Sequence, residues 1–158
     1  LVEGAAFAGG FGIVCCSDIV IGTQNAKFSI SETKIGLTPA QIAPYIVNRI
    51  GLQKAKKIIL LGTVLNGTQA YDFGVIDQLA KDKLELESQF AALKKSQKAC
   101  APAATAITKD LLINHNQLKP SQMTNFLANK FADCLTGEEA KDGLKAFIEK
   151  RTPKWAEV

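Results

Sequence analysis

A single histidine, His115, and four cysteines equip this sequence poorly for metal chemistry. Cys15 and Cys16 are adjacent, Cys100 and Cys134 stand apart, and no C-x-x-C pair occurs. The spacing points to neither a zinc site nor a disulfide framework. The thiols read as small buried residues of a reducing compartment, so the expected location is cytoplasmic. No apolar run approaches the ~20 residues needed to span a bilayer, and no signal peptide is visible. Basic density is lacking too. The net charge is +4, and Lys56–Lys57 and Lys94–Lys95 read as solvated helix faces. Neither nucleic acid nor a membrane surface is an expected partner.

What is present is a chain of 158 residues, 47% apolar and 22% charged. That suffices for a real core and argues against disorder. Its first residue is Leu1, without Met, in the middle of a strand-like run. An N-terminal segment is therefore expected to be missing. Two textures divide the chain at 80/81. Residues 1–80 are glycine-rich and β-capable, and residues 81–158 read as helical almost throughout.

In the first region, Gly9-Gly10-Phe11-Gly12 is expected to turn into a short buried helix through Cys16. Strands are expected at Ile19–Thr23, Ala26–Ile30 and Val75–Leu79, with Ser31–Ala40 as a loop. Helices are expected over Pro44–Ile50 and Leu52–Leu61, with a third opening at a capping box, Asn66-x-x-Gln69. In the second region Leu84, Leu86, Phe90, Leu93 and Ala99 form a helical stripe. Further helices start at Pro102 and Pro120, and Thr136-x-x-Glu139 reads as another capping box.

Two features could carry chemistry. Three glycines in four residues at a helix N-terminus free backbone N–H groups to face outward, where the helix dipole adds positive charge. Such a spot can hold an anion or a developing oxyanion; close helix–strand packing is the alternative. The cluster is neither G-x-x-x-x-G-K-[ST] nor G-x-G-x-x-G. Glu32 comes after an apolar strand, in a loop with Gly36 and Pro39. Carboxylates set among apolar segments suit proton transfer; the alternative is an exposed loop glutamate. His115 has no visible nucleophile partner. The tail from Phe147 through Lys150 and Arg151 to Trp155 reads either as dipole complementation or as contact with an anionic, aromatic nucleotide.

These elements, in this order, resemble the enoyl-CoA hydratase/isomerase (crotonase) family. Val2-Glu3-Gly4-Ala5-Ala6-Phe7-Ala8-Gly9-Gly10-Phe11-Gly12 is similar to its oxyanion-hole segment, and Ser17-Asp18-Ile19 to the step into its next strand. Phe28-Ser29-Ile30-Ser31-Glu32 resembles its catalytic-glutamate loop, continued by Ile35-Gly36-Leu37-Thr38-Pro39. Leu60–Val75 and the closing run from Asp142 to Pro153 complete the match.

The resemblance implies an α/β fold: the C-terminal part of a ββα spiral over residues 1–80, then a helical region over 81–158 whose helices of 102–151 build a homotrimer or dimer of trimers. It implies an acyl-CoA thioester as substrate, no separate cofactor and no metal. Glu32 becomes the acid/base and the Gly9 N–H one of two oxyanion donors, the second belonging to an earlier family segment. Gly10, Gly12, Pro39 and Gln41 would bind the substrate, and Phe147 and Lys150 would reach the coenzyme A, either of their own subunit or of a neighbouring one. Gly12 stands where many members carry another glutamate, leaving room for an acyl branch or a water. One-glutamate members include Δ3,Δ2-enoyl-CoA isomerases and some hydratases, and a non-catalytic scaffold is a third possibility. The run Ala40-Gln41-Ile42-Ala43-Pro44-Tyr45-Ile46 is similar to hydratases of branched glutaconyl-CoA thioesters.

Overall fold

Five strands of three residues each carry the first part of the chain in the computed structural model, which describes residues 1–114 and 118–157. Strands β1 (Ala5–Phe7), β3 (Lys27–Ser29) and β4 (Val64–Asn66) form one sheet, with β1 parallel to β3 and β3 antiparallel to β4. Strands β2 (Ile21–Thr23) and β5 (Gln78–Ala80) form a second, parallel pair. Helices α1 (Gly9–Cys16), α2 (Ala43–Ile50), α3 (Leu52–Leu61) and α4 (Gly67–Phe73) connect them.

The core gathers one face from each element. Phe11 of α1 meets Phe28 of β3 edge to face, with ring centroids 6.2 Å apart. Ile30, Ile46, Ile58, Val75 and Ile76 close around them, none more than 1% exposed. That geometry suits the ring quadrupoles, and burying such side chains is the main stabilising term.

The strands are shorter than their apolar runs, for specific reasons. The Val20 N–H donates to an Asp77 carboxylate oxygen at 2.7 Å, so the ladder of β2 starts only at Ile21. The same oxygen accepts from Arg49 of α2, whose other terminal nitrogen donates to the Ser17 carbonyl at 2.9 Å. Val75 and Ile76 both donate to the Ala70 carbonyl, finishing α4, so β5 begins at Gln78 instead of Val75. Helix α1 starts at Gly9 and takes the glycines into its first turn instead of starting beyond them.

The capping box at α4 forms as its residues foretell. Asn66 accepts from the Gln69 N–H at 2.9 Å, and Gln69 returns a bond to the Asn66 N–H at 3.0 Å. Asn66→Ala is expected to lower unfolding free energy by about 1 kcal/mol, read as a shift in urea midpoint at unchanged slope.

The chain forms two compact units, Leu1–Ala92 and Leu93–Val158. The division falls within helix α5 (Lys83–Lys98) and not at the change of texture at 80/81. Leu86 is buried and Gln89 donates to the Leu79 carbonyl, which holds the first half of α5 in the first unit.

The second unit contains helices α6 (Pro102–Asn114), α7 (Pro120–Thr136) and α8 (Glu138–Glu149). The expected capping box at Thr136 does not form: the Thr136 hydroxyl bonds back to the Ala132 and Asp133 carbonyls, and the N-cap of α8 is Gly137. Glu139 instead accepts from the N–H groups of Ala103 and Ala104, placing its charge on the N-terminus of α6. Trp155 donates to the Ala99 carbonyl at 3.2 Å and lies against Gly143, where a Cβ would come within 2.7 Å of the ring. Among the described residues no helix is long and apolar enough to cross a membrane.

Asp142 closes the C-terminal turn. It accepts from the Arg151 guanidinium at 2.7 Å and from the Lys154 N–H at 2.8 Å. The guanidinium bond first, then the backbone bond, hold its carboxyl below the ordinary aspartate value. A carboxylate depressed in the folded state stabilises fully above its unfolded value, and that contribution is lost as pH falls through the folded one. Acidification below pH 3.8 is therefore expected to lower the thermal midpoint, and Asp142→Asn to flatten that acid limb. Melting curves by circular dichroism across the acid range check this.

Candidate active site

Parallel pairing of β1 with β3 decides where the site lies. The last register pair is Phe7 opposite Ser29, and the Ala8 N–H extends the ladder to the Ser29 carbonyl at 3.0 Å. Both strands run out at the same end of the sheet. Gly9 continues the chain beyond β1 and Glu32 continues it beyond β3, so both are delivered to that end. Sites at the carboxyl ends of parallel strands are a general outcome of this topology.

On the first strand's side, Ala8 is the N-cap of α1, with φ 49° and ψ −122°, a conformation that costs an L-residue energy. Two locks impose it. The Ala8 N–H is held by the ladder, and its carbonyl accepts from Phe11 and Gly12 in the first helical turn. In a trans peptide the N–H points opposite the carbonyl. With the Ala8 carbonyl turned into the helix, the Gly9 N–H must turn out of it. Gly9 and Gly10 N–H groups have no acceptor among the described residues. An added Cβ at either would meet nothing within 4 Å, and neither has positive φ. Close helix–strand packing does not explain these two glycines; they leave open space in front of the donors.

On the other side, a 3-10 helix, Glu32–Ile35, begins with the glutamate. Gly36, at φ 77°, stops it, and the Glu32 carbonyl accepts from Leu37 at 2.9 Å. The Thr33 hydroxyl ties the turn to the Ile59 carbonyl of α3 at 3.0 Å. Glu32 is half-buried, and its Oε2 is fully buried with no hydrogen-bond partner among the described residues. The exposed-loop alternative fails. A buried carboxylate oxygen left without a donor costs folding free energy, as is common for groups kept for chemistry.

Between the two lies a cleft of about 280 Å³, lined by Gly9, Glu32, Thr38, Pro39, Ala40, Gln41 and Ile42. It is sized for the reacting end of a ligand. Of the residues singled out in the sequence, Gly9, Glu32, Pro39 and Gln41 line this cleft together. Gly10 is exposed beside them without lining the cleft. Gly12 is a correction: it is buried against α2, and the room expected there is filled. A Cβ at Gly12 would stand 2.8 Å from the Ile42 Cβ. Thr38, Ala40 and Ile42 stood within the runs that carry the family resemblance but were not singled out as site residues, since a loop's facing is set by tertiary packing.

Phe147 and Lys150 lie at the end of α8 and are exposed, Phe147 by 85%. The cleft is built wholly from the first unit. Arg151 is engaged by Asp142 and Glu149, which gives the basic tail a structural task. His115 lies outside the described residues.

The family model described as "Enoyl-CoA hydratase/isomerase" matches residues 1–158. The chain belongs to that family. An enoyl-CoA hydratase/isomerase structure from Marinobacter aquaeolei superposes with a TM-score of 0.93 at 40% identity, covering 97% of this chain and 58% of that one. Pseudomonas aeruginosa AtuE superposes at 0.94 with 37% identity, covering 97% and 59%. The short-chain-enoyl-CoA hydratase of Clostridium acetobutylicum is 28% identical over 151 residues, 95% of this chain and 58% of its own length. The chain thus spans less than two thirds of each of these proteins. Its fold class is that of its family: an α/β crotonase-like core followed by a helical region. Within this enoyl-CoA hydratase/isomerase chain, Gly9 from the glycine-rich segment lines one cleft with Glu32 and the run from Thr38 to Ile42.

Proposed function

We propose that the protein carrying this chain is an enoyl-CoA hydratase that adds water across the 2,3 double bond of an acyl-CoA thioester, with a branched glutaconyl-type acyl group as substrate. The observation that carries it is that Glu32, one of whose carboxylate oxygens is buried with no hydrogen-bond partner among the described residues, lines the same cleft as Gly9. Glu32 takes a proton from water as its oxygen bonds to C3. The π electrons move through C2 to the thioester oxygen, where the Gly9 N–H stabilises the enolate. The protonated carboxyl then returns its proton to C2, and the thioester carbonyl re-forms. One carboxylate serves both transfers and ends as it began. The amide of Gln41 and hydroxyl of Thr38 offer neutral hydrogen bonds to an acyl branch. Coenzyme A enters as part of the substrate, and no further cofactor or metal takes a step.

A second reading has its own support. Among the described residues Glu32 is the sole carboxylate on the cleft wall, and Ile42 fills the place beside Gly12. One carboxyl can carry a proton between C2 and C4, which makes a Δ3,Δ2-enoyl-CoA isomerase. Incubating a panel of 2-enoyl- and glutaconyl-CoA esters in 18O-water separates the two. Label in a 3-hydroxyacyl product is the expected result. A shifted double bond without label selects the isomerase, and no turnover of any ester defeats both.

We further propose assembly as a trimer or dimer of trimers through the second unit, with Phe147 and Lys150 contacting coenzyme A. Support comes from an apolar groove of about 340 Å³ lined by Phe131, Leu135, Leu144 and Trp155, with Phe131 69% exposed. Sedimentation of the full-length protein tests it; a monomer at micromolar concentration defeats it.

A further inference from the structure

We propose that Ile42 sets the size of the acyl group the cleft accepts, and that Gly12 fixes where Ile42 stands. The inference rests on the acyl-CoA reading of the cleft and names its specificity-determining pair.

Ile42 faces two ways. It is half-buried against the core and also lines the cleft that holds Gly9 and Glu32. If the thioester oxygen meets Gly9 and the reacting carbons meet Glu32, the substituents on those carbons lie against the wall formed by Pro39 and Ile42. The Ile42 backbone cannot swing away: its N–H donates to the Pro39 carbonyl at 3.1 Å, and its carbonyl accepts from Ile46 at 3.2 Å. Pro39 itself is buried. The side chain is β-branched and stiff at χ1.

Behind it stands α1. A Cβ built on Gly12 would lie 2.8 Å from the Ile42 Cβ and would overlap its Cγ2, so no side chain fits between them. The wall has no room to retreat toward α1. Any atom added at position 12 must push Ile42 toward the open side, into the cleft. Any atom removed from Ile42 widens the cleft beside Glu32. Two residues, only one of which lines the cleft, should therefore move substrate preference in opposite directions.

The test uses the full-length protein with a straight four-carbon 2-enoyl-CoA and its 3-methyl-branched homologue, and reads the ratio of kcat/KM values, branched over straight. One methylene in an apolar pocket discriminates by about 10- to 200-fold. Ile42→Ala should raise the ratio by about tenfold or more, and Ile42→Val by less. Gly12→Ala should lower it by about tenfold, and the G12A/I42A double variant should fall between the single ones. A Gly12→Ala protein that fails to fold leaves the graded Ile42→Val and Ile42→Ala pair to decide. If both Ile42 variants are active and neither shifts the ratio by more than about twofold, the inference is wrong. If only glutaconyl-CoA esters are turned over, the same ratio is read with glutaconyl-CoA and its 3-methyl homologue; a wild-type protein that turns over none of these esters overturns the acyl-CoA reading, and this inference with it.

Discussion

Glu32→Gln is expected to cut turnover by on the order of 10²–10⁴-fold while leaving the affinity for an acyl-CoA ester within a few-fold of wild type. The amide keeps the shape and volume of the carboxyl, so the cleft should remain intact. It can still accept a hydrogen bond from water but can neither take its proton nor return one to C2. Binding should survive because the coenzyme A portion of the ester reaches well beyond a cleft of about 280 Å³. Stability should hold or rise. The Oε2 of Glu32 is buried without a donor among the described residues, and replacing the carboxylate by a neutral amide lowers the desolvation cost of that position. Lower kcat with an unchanged dissociation constant and an equal or higher melting midpoint would together mark a group kept for chemistry at the expense of folding. Near-normal kcat in a folded Glu32→Gln protein would remove Glu32 from the mechanism.

Local chemistry was legible where it is local. The Asn66–Gln69 box needs only four consecutive residues, and helix α3 runs over Leu52–Leu61 as its apolar spacing and Gly62 foretold. The strands were harder. Each spans three residues, too few to show a period of two, and β4 left no trace among Val64, Leu65 and Asn66. Thr136-x-x-Glu139 had the right letters, but Glu139 found α6, thirty-odd residues away in sequence, a partner no local pattern names. The site divides in the same way. The glycine run and Glu32 were conspicuous, yet their meeting depends on β1 pairing in parallel with β3, which no local pattern names. Whether each glycine serves packing or access was beyond the sequence. Gly9 and Gly10 face open space while Gly12 faces Ile42, although all three sit within four residues.

Gly9→Pro probes the other half of the cleft, because it deletes a single N–H at the first position of a helix, where proline is well tolerated. That N–H has no acceptor among the described residues, so no fold-stabilising bond is lost with it. Losing one preorganised oxyanion donor costs about 2.7–4 kcal/mol in the transition state, or about 10²–10³ in kcat. The loss should fall on kcat, since the charge on the thioester oxygen develops only during reaction. Ala8 is the weak point of the design: it already carries φ 49°, and a proline after it restricts it further. Gly9→Ala supplies the control. It keeps the N–H and adds a methyl where nothing lies within 4 Å, so the protein should fold and retain the donor while the methyl obstructs the substrate. Gly9→Ala should therefore raise KM and Gly9→Pro should lower kcat. If a folded Gly9→Pro protein works at the wild-type rate, the oxyanion is stabilised elsewhere, and the outward turn of α1 has another purpose.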